Sequence, residues 1–306
     1  MSVIEAATLR RRFQAAAPKL LDGAMGTELV RRGVALPAPL WSTAGLIEAP
    51  TVVEKIHRNY TAAGADILVA NTFRTNPAAL TAAGYERDGL ALNAQAVRLA
   101  RRAAAFELAG QDREPPLIAA SIAPSADCYR PDLVPDEATL RREHMQMMAW
   151  VAAAQPDLAW IETMNTVREA AAAGRAARER WLPFVVSFVL NEAGDLLGGE
   201  SLAAAVAAVE PLEPLAIGLN CIPPRGITAH LPRLRQLTTR PIAVYAHIGN
   251  ASPLPGWSFG ESATPEQYAE HAAAWREAGA SIIGGCCGTS PGHIAACRAI
   301  LARVNS

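Results

Sequence analysis

Eight short apolar runs punctuate the chain: KLLDG (19–23), DILVANTF (66–73), PLIAASIAP (116–124), LAWIETM (158–164), FVVSFVL (184–190), LAIGLNC (215–221), PIAVYAH (241–247) and SIIGGCC (281–287). Within them the apolar positions are continuous rather than alternating, the pattern of parallel strands covered on both faces. Between them lie alanine-rich stretches with the periodicity of amphipathic helices. The segment 49–64 opens with Pro50 and closes with Gly64, the usual start and stop punctuation. The segment 88–110 reads as a longer helix ending at Gly110. Thr264, Pro265 and Gln267 spell a capping box at the start of another, and a last helix follows Ser290.

Strands that alternate with helices through nearly the whole chain predict an α/β fold, a (β/α)8 TIM barrel in a single domain over residues 1–306. An open doubly wound sheet is the competing arrangement. Its dinucleotide-binding form needs G-x-G-x-x-G after the first strand, and DGAMGTE does not supply it. Two stretches read as irregular: 31–50, and the Pro/Asp-rich 124–136, a functional loop or a surface excursion.

Composition narrows the class. The 306 residues carry 28 Lys+Arg against 29 Asp+Glu, a net charge of −1. That balance, without a dense basic run, leaves no electrostatic footprint for nucleic acid. The N-terminus lacks the apolar segment of a signal peptide, and no run of roughly 18 apolar residues could span a membrane. A cytoplasmic protein is therefore expected, with no membrane partner, as a monomer or homodimer. Thiols stay reduced there, and five cysteines, an odd number, do not make a disulfide framework. Cysteines that stand out become candidates for metal binding or catalysis, against the alternative of small buried hydrophobes.

In such a barrel the chemistry gathers at the C-terminal strand ends. Asp22 ends the first strand, Asn71, Thr72 and Phe73 the second, Glu162 the fourth, Asn220 and Cys221 the sixth, His247 the seventh, and Cys286 and Cys287 the eighth. Adjacent cysteines are too close for a relaxed disulfide and would point to opposite faces of a regular strand. The glycines around them (284, 285 and 288) are expected to let the backbone bend so that both sulfurs reach one point. Cys221 can add a third. Three thiolates on Zn2+ leave one open tetrahedral position, the pattern of a catalytic rather than a structural site. Asp22 and Glu162 together could hold a cationic amino group, although a lone carboxylate at a strand end often caps the next helix. His247 reads as a hydrogen-bonded structural histidine and Cys297 as core. Cys128 reads as incidental. Trp41 either packs or faces a cation.

GGCCGT (284–289), GLNC (218–221) and LLDGAMGTEL (20–29), with LWS (40–42), NTF (71–73) and IET (161–163) in order, resemble the homocysteine S-methyltransferases, zinc-dependent (β/α)8 barrels. The resemblance runs from about residue 18 to 303. PLWS is most similar to the single-domain branch that uses S-methylmethionine or S-adenosylmethionine. The resemblance implies that Cys221, Cys286 and Cys287 bind Zn2+ and that Asp22 and Glu162 hold the homocysteine amino group. It also implies that backbone groups around Gly23 and Thr72 take the carboxylate and that Asn220 shapes the pocket. A cationic donor needs a negative or aromatic surround, for which Trp41 and the carboxylates are candidates. The implied product is methionine, and the partners are small molecules. The segment after the third strand and YAHIGN (245–250) depart from the family pattern, which keeps other methyl donors and other thiol or selenol acceptors in view. A non-catalytic zinc-binding barrel is the remaining alternative.

Overall fold

The computed structural model describes residues 6–15, 17–249 and 263–304. Its eight strands are β1 (Lys19–Leu20), β2 (Ile67–Ala70), β3 (Leu117–Ile122), β4 (Leu158–Met164), β5 (Phe184–Phe188), β6 (Ala216–Asn220), β7 (Ile242–Ala246) and β8 (Ile282–Gly285). All pairings are parallel, in the order β1-β8-β7-β6-β5-β4-β3-β2. The barrel closes through a parallel bridge between Leu21 and Ile67, with Asp22 N–H donating to Ile67 O at 3.0 Å. The expected (β/α)8 barrel is therefore present, although its first strand is only two residues long.

The continuous apolar runs resolve into two cores. Leu68, Ile118, Ile161, Val186, Ile217, Val244 and Ile283 face outward into the layer shared with the helices. Ile67, Leu117, Trp160, Val185, Ala243, Tyr245 and Ile282 face inward. Successive side chains point to opposite faces, and both faces are dry, so polarity does not alternate.

The helix Ala6–Gln14 has no counterpart in the sequence reading. Its Leu9 and Phe13 are buried in the barrel-interior cluster. Arg12 pairs with Glu114 and donates to Pro115 O, just ahead of β3. This helix closes the N-terminal end of the barrel and leaves chemistry to the opposite rim.

The punctuation holds at the helices. Pro50–Ala62, Gly89–Glu107 and Pro291–Val304 form where expected, and Gly64 and Gly110 adopt φ of +100° and +77°. Thr264 and Gln267 make the capping box of Pro265–Glu277. Two stretches read as irregular are not wholly so. Thr43–Glu48 is a short helix within 31–50, and Pro131–Leu133 forms one 3-10 turn within 124–136.

Candidate functional site

Three sulfurs meet just beyond β6 and β8. The Sγ atoms of Cys221, Cys286 and Cys287 all lie within 4.8 Å of one another, and Cys286 and Cys287 are 4.0 Å apart. A disulfide joins Cys221 and Cys286, with Cα atoms 5.8 Å apart. That pairing differs from the expected three reduced thiols. It arises because the strand ends already bring the sulfurs to one point.

How the backbone delivers them also differs from expectation. Of the flanking glycines only Gly288 has positive φ, at +84°. Gly284 and Gly285 are required for space instead. A Cβ on Gly284 would meet Leu21 Cβ at 2.5 Å, and one on Gly285 would overlap Thr289. The other bend belongs to Cys221 itself, which sits at φ 54°, a conformation that costs a non-glycine residue free energy. Surrounding bonds hold these turns. Cys286 N–H donates to Ala246 O, Ile248 N–H to Cys287 O, and Thr289 Oγ1 to Cys286 O at 2.7 Å. Tyr268 Oη donates to Gly284 O at 2.7 Å. Arg31, paired with the buried Glu28, donates to Gly288 O and Thr289 O. His247 Nδ1–H donates to Cys221 O at 2.9 Å, so this histidine is a hydrogen-bonded support of the cysteine turn, as expected.

Inside the barrel lie the two carboxylates. Asp22 and Glu162 are 4% and 9% exposed. Burial pushes the Asp22 carboxyl well above the usual range, opposed by the hydrogen bond from Val69 N–H and reinforced by the charge of Glu162. Burial likewise raises Glu162 to about 7, against hydrogen bonds from Ser121 and Tyr245. Those bonds measure 2.5 Å and 3.2 Å. Burial, then the nearby Cys128 and Glu162, pushes the Cys287 thiol up to about 12.

Glu162 is aimed by a bulge. The β4–β5 register shifts between Ile161 and Met164, and Thr163 sits at φ 58°. Asn220 clamps this residue, accepting from Thr163 N–H at 3.0 Å and donating to Thr163 Oγ1 at 2.8 Å. The clamp continues through Ser187 to Tyr245, whose hydroxyl also accepts from Trp160. The Asn220 amide therefore spends its hydrogen bonds on Thr163 and Ser187. Ser121, Thr163, Ser187 and Tyr245 were missed by sequence reasoning. The available signal was a polar residue inside an otherwise apolar strand, as in LIAASI, FVVSF and IAVYA.

The remaining candidates fall as follows. Gly23 packs so closely that a Cβ would lie 2.8 Å from both Thr289 Oγ1 and Tyr60 Oη. Thr72 is fully buried, with Oγ1 donating to Ser121 O and its N–H to Ala70 O. Trp41 is half-buried at φ 47°, and Asn71 Nδ2 donates to the neighbouring Ser42 O, tying this loop to the end of β2. Cys297 is buried core. Cys128, read as incidental, is 7% exposed, and burial pushes its thiol up to about 12.

A cavity of about 450 Å3 lined by Phe13, Glu210, Arg235 and Arg240 lies at the other end of the barrel. The convergence of thiols and carboxylates, rather than hollow volume, marks the site. The donor set fits a soft or borderline divalent cation, since three cysteine sulfurs can face one ion.

A closed parallel barrel that gathers thiols and buried carboxylates on its C-terminal rim has the layout of a (β/α)8 enzyme. Residues 19–301 match the homocysteine S-methyltransferase family model, and the chain belongs to that family of methyltransferases. A homocysteine S-methyltransferase of Escherichia coli (strain K12) is 33% identical over 297 residues, covering 92% of this chain and 94% of the relative. A selenocysteine methyltransferase of Astragalus bisulcatus is 28% identical, covering 92% and 91%. The crystal structure of the homocysteine methyltransferase MmuM from Escherichia coli in its metallated form matches with a TM-score of 0.82 at 31% identity, over 96% of this chain and 99% of that one.

Proposed function

We propose that the protein transfers a methyl group from a sulfonium compound, S-methylmethionine or S-adenosylmethionine, to the sulfur of L-homocysteine, giving methionine. The observation that carries this reading is the meeting of three cysteine sulfurs with a buried pair of carboxylates on one barrel rim. Cys221, Cys286 and Cys287 would hold Zn2+, whose chemistry when bound is to keep a thiol deprotonated at neutral pH.

The chain's own residues do the rest. Asp22 and Glu162 take the ammonium group of homocysteine. A substrate ammonium between them offsets negative charge that burial otherwise disfavours, so the pair favours binding of an amino acid over a plain thiol. The clamp of Asn220 on Thr163 keeps Glu162 aimed inward. The net negative surround attracts the cationic donor, and Trp41 offers it an aromatic face. In the transfer the homocysteine sulfur forms a bond to the methyl carbon while the donor's sulfur–methyl bond breaks. The bonding pair stays on the donor sulfur, which leaves as a neutral thioether, and the homocysteine thiol proton is released to solvent.

The test is a donor panel with S-methylmethionine, S-adenosylmethionine and betaine, assayed with reductant at full metal occupancy. Methionine should form with a sulfonium donor. Absence of turnover with every donor would sink the proposal. A selenol acceptor is the second reading, motivated by the relative named as a selenocysteine methyltransferase. Selenocysteine in place of homocysteine in the same assay separates the two. Three thiols able to hold a metal would need a reducing compartment, and the cytoplasm supplies one. No described helix is long and apolar enough to cross a membrane.

A further inference from the structure

Arg74 stands just beyond β2 and is 7% exposed. A guanidinium keeps its charge under all ordinary conditions and presents five N–H donors. Here Nη1 donates to Ala126 O at 2.7 Å, and the group lies 5.3 Å from the Phe73 ring centroid. Among the described residues no carboxylate lies within ion-pair distance of it. Arg12, Arg31, Arg32, Arg101, Arg113 and Arg240 each meet one. A buried cation without a counterion is far more costly than a paired one, and a ligand anion removes that cost.

Its neighbours place Arg74 at the site. Thr72, two residues before it, bonds to Ser121 O, and Ser121 bonds to Glu162. Ala126, which Arg74 holds, lies two residues before Cys128, and the Cys128 thiol is within charge range of both Arg74 and Glu162. Of the backbone groups around Gly23 and Thr72 that the family resemblance assigns to a substrate carboxylate, the Thr72 N–H donates to Ala70 O at 2.7 Å. An amino acid carries an ammonium and a carboxylate. Among the described residues, the rim offers two carboxylates for the first and, in Arg74, a guanidinium without a carboxylate partner for the second.

We propose that Arg74 binds the α-carboxylate of an amino-acid substrate, either the acceptor's or the sulfonium donor's. The inference rests on the methyl-transfer reading. A bidentate guanidinium–carboxylate pair is directional and charge-assisted, so its loss is confined to ligands that carry the carboxylate.

The test compares wild type, Arg74→Met and Arg74→Lys on two matched pairs: homocysteine against 3-aminopropane-1-thiol, and S-methylmethionine against (3-aminopropyl)dimethylsulfonium. Wild type should prefer the carboxylate-bearing member of one pair by roughly 10- to 100-fold in kcat/KM. Arg74→Met should abolish that preference by weakening only the carboxylate-bearing member, and Arg74→Lys should restore part of it. Loss confined to the first pair identifies the acceptor, and loss confined to the second the donor. Equal loss for both members of each pair, or no change, overturns the proposal and leaves Arg74 as a prop for the segment at Ala126. Calorimetric binding of the same four compounds makes the same comparison without turnover. If wild type turns over no donor, the methyl-transfer reading fails, and binding that does not distinguish either pair overturns the Arg74 assignment separately.

Discussion

Each cysteine takes its role from what lies within reach of its sulfur. Cys286→Ala or Cys287→Ala leaves two thiols, too few for a tightly held ion, and is expected to lose metal and activity together. Cys297→Ala, buried in the helix layer, should retain both. Metal content after purification in reductant distinguishes them, and stoichiometric zinc in Cys286→Ala would refute the ligand assignment. Glu162 makes a pH prediction. Its unfolded value is 4.5 and its folded value about 7, so between these the native state holds a proton that the unfolded chain has lost. Its contribution to stability is full below 4.5 and disappears as pH rises through about 7. Affinity for a substrate ammonium should move the other way, because the ionised carboxylate is the form that binds it. Thermal melts of wild type and Glu162→Gln across pH 5 to 8 should show that slope flattened in the variant.

At the scale of elements, the site depends on departures from regular structure. The β4 bulge turns Glu162 inward, and Asn220 on β6 holds the bulged Thr163. Asn220→Ala leaves a buried N–H without its acceptor and opens a small cavity. It is expected to destabilise the fold by about 2–4 kcal/mol and to raise KM for homocysteine more than it lowers kcat. Denaturant titration and steady-state kinetics check the two halves, and an unchanged KM would remove the clamp from the substrate site. Tyr268 does similar work from the helix Pro265–Glu277, its hydroxyl donating to Gly284 O and accepting from Ala246 N–H. Tyr268→Phe should weaken metal binding, read by competition with a chelator, without unfolding the barrel.

Across the whole molecule, the two ends of the barrel are separated in function. Leu9 and Phe13 close the N-terminal end, where no ligand of the proposed reaction sits. Phe13→Ala should cost about 3–5 kcal/mol in unfolding free energy while leaving metal stoichiometry and KM unchanged, and a shift in KM would couple ends that the structure keeps apart. The eight strands, the helix caps and the rim residues were legible in the chain because they depend on local rules: continuous apolar runs, Pro and Gly punctuation, and reactive side chains at strand ends. The N-terminal plug was not legible, since a nine-residue amphipathic helix does not reveal what its apolar face covers. The reason for Gly284 and Gly285 was misread for a related cause. A neighbour's side chain excludes a Cβ there, and only the closed barrel brings Leu21 and Thr289 against them. The burial of Cys128, the bulge at Thr163 and, among the described residues, the lack of a carboxylate at Arg74 belong to the same group. By itself the sequence determined the barrel, the three sulfurs and the two carboxylates, because chain order and strand periodicity place those on one rim. The tertiary structure alone decided how each is aimed and which charges lack partners, because packing between strands distant in sequence sets hydrogen-bond partners and burial.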